Sequence, residues 1–146
     1  MCNDAITRPV DQAIRRIRLE PTPRAARDAR RFVSETLTEL GHPDLVEDAR
    51  LIASELITNS LTHAPKYPIW LSIWRTGAFL DLEVWDCSPE PPVYLDPDFF
   101  AEGGRGLHIV KELGTACGYT TFDHGKVVWA LLELNRPWAH GISWID

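Results

Sequence analysis

Two runs rich in β-branched and aromatic residues, 69–75 (Ile-Trp-Leu-Ser-Ile-Trp-Arg) and 79–86 (Phe-Leu-Asp-Leu-Glu-Val-Trp-Asp), are separated by only Thr76-Gly77-Ala78. So short a break with a glycine in it fits an antiparallel hairpin and little else. A second pair, 117–122 and 126–134, brackets Asp123-His-Gly-Lys126 in the same way. Residues 13–19 alternate apolar and basic residues, as an edge strand would.

Between the edge strand and the first hairpin lie two helical patterns. Thr22-Pro23 reads as an N-cap followed by proline at the first helical position. Ala25, Ala29, Phe32, Val33, Leu37 and Leu40 then form an apolar stripe that Gly41 ends. After His42-Pro43, Asp44 with Glu47 resembles a capping box opening a second helix over about 45–64. Residues 88–103, with four prolines, read as a long loop, and a third helix is expected over Leu107–Leu113, stopped by Gly114. The order β-α-α-β-β-loop-α-β-β predicts an α+β fold, a two-layer α/β sandwich with helices on one face of a mixed, largely antiparallel sheet.

The chain has 146 residues, enough for one core and too few for two ordinary domains, so residues 1–146 are expected to form a single domain. No apolar run reaches the ~20 residues needed to span a bilayer, and the polar start lacks a signal-peptide apolar region, which predicts a cytoplasmic protein without a membrane anchor. Three cysteines (Cys2, Cys87, Cys117) without C-x-x-C spacing predict reduced thiols, and the five histidines show no metal-ligand spacing, so any metal would be held by oxygen. Net charge is −6, and residues 1–31 carry eight arginines against four acids. Direct DNA binding is not expected of so acidic a chain, and Arg24, Arg27, Arg30 and Arg31 suit the solvated face of a helix or a contact with an acidic protein.

Three blocks carry chemistry. In Glu55-Leu-Ile-Thr-Asn59-Ser-Leu-Thr-His63-Ala64, Glu55, Asn59 and Thr62 share one helical stripe, flanked a turn earlier by Leu51 and Ile52. The stripe either faces water or forms an enclosed polar spot. An amide oxygen one turn from a carboxylate suits a magnesium–phosphate site, the amide ligating the ion and the carboxylate acting on an attacking hydroxyl. In the second block, Asp86-Cys-Ser-Pro-Glu-Pro, Asp86 ends the inward row Leu80, Leu82, Val84. It is either an ordinary strand-end aspartate or a buried acceptor for a group such as the adenine amine. The third block, Gly103-Gly-Arg-Gly106-Leu-His-Ile-Val110, sets glycines before an apolar helix, as either a flexible connection or an anion cradle.

Taken in order, these blocks resemble the N, G1 and G2 boxes of the GHKL ATPase superfamily (Bergerat fold), and within it the small bacterial anti-sigma-factor serine/threonine kinases. The likeness spans about residues 13–134, including Gly-Lys-Val-Val-Trp-Ala-Leu-Leu as the last strand, and leaves 135–146 as a tail. The resemblance implies ATP and Mg2+ as cofactors, Asn59 as the magnesium residue, Glu55 as general base, Asp86 as the adenine contact, and Gly104, Arg105, Gly106 and Leu107 as nucleotide-binding lid residues. It further implies a kinase that phosphorylates a serine of a small antagonist protein and sequesters a sigma factor, with homodimerisation common among relatives. The glutamate at position 55 separates this pattern from sensor histidine kinases, which usually carry asparagine there. Ala101-Glu102 stand where some family kinases place an arginine, and the segment before the glycines is short and proline-rich. That departure leaves an alternative, a nucleotide-gated binding module without phosphotransfer.

Overall fold

The computed structural model describes residues 14–88 and 116–134. Their elements are β1 (Arg15–Leu19), α1 (Ala25–Glu39), a 3-10 turn (Pro43–Leu45), α2 (Val46–His63), β2 (Ile69–Thr76), β3 (Phe79–Asp86), β4 (Ala116–Phe122) and β5 (Gly125–Glu133). The sheet order is β1-β2-β3-β5-β4. All four pairings among these strands are antiparallel, and β1 lies at an edge as its alternation implies. The expected third helix, the glycine-rich block and the tail lie outside the described residues.

Each strand segregates its residues by the period of two. Ile69, Leu71 and Ile73 of β2, Leu80, Leu82 and Val84 of β3, and Val128, Ala130 and Leu132 of β5 all join the core with the buried faces of α1 and α2. Burying a Leu, Ile or Val contributes about 1.5–3 kcal/mol each, so this row against Phe32, Val33, Leu37, Ile52, Leu56 and Ile57 fixes the helix layer on the sheet. The opposite face is also largely buried. Trp74 is 2% and Trp85 3% exposed, Trp85 stacks on Phe122 at 5.8 Å, and the Arg16 guanidinium lies 4.1 Å over the Trp70 ring.

The helix boundaries depart from the sequence expectation at their starts. The N-cap of α1 is Arg24, not Thr22. Thr22 and Pro23 sit in a turn just before it, where the Thr22 carbonyl accepts from the Ala25 N–H at 2.9 Å and its Oγ1 from the Arg24 N–H at 3.3 Å. The expected Asp44/Glu47 capping box is replaced by the 3-10 turn, which makes Leu45 the N-cap of α2, with no side-chain cap bond. Burial decides this: Leu45 is fully buried and anchors the turn in the core.

The stops follow the sequence. Gly41 takes φ +84, the His42 N–H reaches the Leu37 carbonyl at 2.9 Å and the Gly41 N–H the Thr38 carbonyl at 3.1 Å, the two bonds of a Schellman motif. Gly77, at φ +59, occupies the first central position of the β2–β3 turn, with Thr76 paired to Phe79. Cys117 is a free thiol.

Candidate functional site

The buried face of α2 carries Ala49, Ile52, Ala53, Leu56 and Ile57, and one turn after Leu56 that face meets Ser60, a hydroxyl in an otherwise apolar row. Helical spacing thus aims Ser60 at the sheet, where β3 ends in Asp86. Ser60 Oγ donates to Asp86 Oδ2 at 2.8 Å and ties the helix to the strand end. This bond sets Asn59, the preceding residue, beside the same end of the sheet.

Asp86 is 1% exposed and Lys126, its register partner on β5, 0%. Lys126 lies on the inward row with Val128, Ala130 and Leu132, and its Nζ stands 3.0 Å from both Asp86 oxygens. The Ser88 N–H donates to Oδ1 at 2.9 Å, and the Ser88 carbonyl lies 3.4 Å from Lys126 Nζ. Asp86 is thus a buried carboxylate with dedicated protein donors, as desolvating a carboxylate demands.

A Cβ on Gly125 would stand 2.3 Å from the Asp86 carbonyl oxygen. Only glycine lets the start of β5 approach so closely. Gly125→Ala therefore forces the strand end apart; we expect a loss of about 1–3 kcal/mol in denaturant unfolding and a disturbed Lys126–Asp86 contact.

Glu55 is half-buried on α2, and desolvation raises its pKa above the usual carboxylate value. Asn59 is 9% exposed, and its Oδ1 is buried with no hydrogen-bond partner among the described residues. The stripe expected from sequence thus divides. Glu55 and Asn59 are withdrawn from water, whereas Thr62 is exposed and bonds back to the Thr58 carbonyl at 3.0 Å. Of the flanking pair, Ile52 is fully buried while Leu51 is 43% exposed. His63 is half-buried at the end of the helix.

An orphaned amide oxygen is a costly thing to bury, and a cation would relieve it. Asn59 therefore fits the magnesium role, since Mg2+ takes one or two protein oxygens and fills its shell with water and phosphate. Among the described residues no group of three His, Cys, Asp or Glu could hold a metal ion unaided. The expected lid residues Gly104, Arg105, Gly106 and Leu107 lie outside the described residues. Sequence reasoning missed Ser60, Ser88 and Lys126; the lysine on the inward parity of β5, level with the end of the Asp86 row, was the signal for the last.

The described residues thus form a two-layer sandwich in which Ser60 of α2 is bonded to the strand-end Asp86. The model of the histidine kinase-like ATPase domain family matches residues 19–132, and the chain belongs to that family. Among solved structures, the RsbU and RsbW domains of Rv1364c from Mycobacterium tuberculosis are similar, with TM-score 0.63 and 22% identity over 84% of this chain. The chain spans 32% of that structure's length, and the likeness is one of fold. The histidine kinase domain of a blue-light activated histidine kinase from Erythrobacter litoralis aligns with TM-score 0.48 and 22% identity, covering 73% of this chain and 61% of that one. No curated protein matches. No helix among the described residues is long and apolar enough to cross a membrane.

Proposed function

We propose that this chain is an ATP- and Mg2+-dependent serine/threonine kinase of the anti-sigma type, cytoplasmic, acting on a small antagonist protein and sequestering a sigma factor. The observation that carries this is the pairing on α2 of a desolvated Glu55 with Asn59, one turn on, whose buried Oδ1 has no hydrogen-bond partner among the described residues. A carboxylate with a raised pKa is a better proton acceptor than an ordinary one. The similarity in fold to a structure containing an RsbW domain supports the same reading.

In this reading Asn59 Oδ1 would hold magnesium, which would supply charge neutralisation at the phosphates. Asp86 is placed at the base end of the nucleotide. Glu55 accepts the proton of the substrate serine hydroxyl as the new Oγ–P bond forms and the bond from the γ-phosphorus to the β–γ bridging oxygen breaks, leaving ADP and phosphoserine. The test is transfer of γ-labelled phosphate from ATP to an antagonist protein by the native chain and by Glu55→Gln. Labelled phosphoserine formed only by the native chain supports the kinase.

A second reading, a nucleotide-gated binding module without phosphotransfer, draws on Ala101-Glu102 standing where some family kinases place an arginine. It predicts ATP-dependent partner binding with no label transferred, by the native chain as by the variant.

A further inference from the structure

A carboxylate offers about four acceptor positions, two on each oxygen. In Asp86, Oδ2 receives the Ser60 hydroxyl and Oδ1 the Ser88 N–H, and the Lys126 ammonium straddles both oxygens at 3.0 Å. The acceptor positions are full, and both side chains are shut off from solvent. A nucleobase amine has nowhere to donate unless one protein donor gives way. Ser60 is held by the helix backbone packed on the sheet, and Ser88 donates through its main chain. Lys126 is the partner on a long, flexible stem, and its other acceptor among the described residues is the Ser88 carbonyl at 3.4 Å.

We propose that Lys126 is an internal competitor for the base-recognising carboxylate: its ammonium occupies Asp86 and must withdraw for a purine amine to bind there. The proposal rests on the ATP-binding reading above and adds to it a residue that sets base affinity. Lys126 thereby weakens nucleotide binding. Removing the cation leaves Asp86 two fixed donors and two open acceptor positions, so an incoming amine gains a charge-assisted hydrogen bond without displacing anything.

The test compares calorimetric binding of ATP and of inorganic tripolyphosphate, both with Mg2+, to the native chain, Lys126→Met and Lys126→Gln. Lys126→Met should bind ATP about tenfold or more tighter than the native chain, with Lys126→Gln between them. Tripolyphosphate, which has no base, should bind all three alike. ATP binding unchanged or weaker in a folded Lys126→Met overturns the proposal while leaving ATP binding intact. ATP binding by none of the forms overturns the underlying reading, and the competitor with it. Should neither variant fold, the native chain decides through the Lys126 ammonium resonance in 15N spectra. The resonance should move on saturation with ATP and stay fixed with tripolyphosphate, and one that ATP leaves unmoved overturns the proposal.

Discussion

Asp86→Ala should unfold with a loss of about 3–5 kcal/mol, because it strands the Lys126 ammonium in the core. Lys126 is 0% exposed, and without Asp86 its remaining partner among the described residues is the Ser88 carbonyl at 3.4 Å. The reverse deletion is milder, since the Asp86 carboxylate keeps the Ser60 hydroxyl and the Ser88 N–H when the lysine is gone. Urea unfolding of Asp86→Ala, Lys126→Met and the double variant measures this asymmetry. Asp86→Ala should be the least stable of the three, and the double variant should recover part of its loss. An Asp86→Ala chain as stable as the native one would contradict a buried ion pair at this position. It follows that loss of nucleotide binding in Asp86→Ala reports the fold before it reports base recognition.

Glu55→Gln should lower phosphotransfer by about 10²–10⁴-fold, the usual contribution of a general base, while ATP still binds. Glutamine keeps the size of the side chain and a carbonyl oxygen but cannot take the proton. Burial raises the Glu55 pKa, so the ionised, proton-accepting form accumulates only as pH rises through that elevated value, and the transfer rate should climb across the same window. Stability runs the other way. The raised pKa means that the folded chain holds this proton more tightly than the unfolded one, a contribution complete below the unfolded glutamate value and lost as pH rises through the folded value. Glu55→Gln removes both dependences, so a pH–rate profile identical in the two chains would contradict the assignment.

The sheet and both described helices were legible because their signals are local. The Thr76-Gly77-Ala78 break gives a hairpin whichever core it joins, and Gly41 ends α1 by a backbone conformation that glycine favours. The helix starts were misread because tertiary burial overrode capping chemistry: Leu45 entering the core moved the start of α2 past Asp44. In the site, the spacing of Glu55 and Asn59 was readable, yet the same spacing enrolled Thr62, which faces water. Helical periodicity gives a direction, and only the neighbouring elements decide whether anything lies there. The closure of Asp86 by three donors draws on α2, β5 and the residue two after the end of β3. No short window of sequence contains it.

The most direct test of the central claim is calorimetric binding of ATP, with and without Mg2+, to the native chain and to Asn59→Ala. Asn59 lies outside the Asp86–Lys126 pair, and its Oδ1 has no partner among the described residues to lose, so the substitution probes the site and spares the fold. Magnesium-assisted binding in the native chain, weakened at least tenfold in a folded Asn59→Ala, is the result predicted. Binding that is absent in the native chain, or indifferent to both magnesium and Asn59, would contradict an ATP site built on α2.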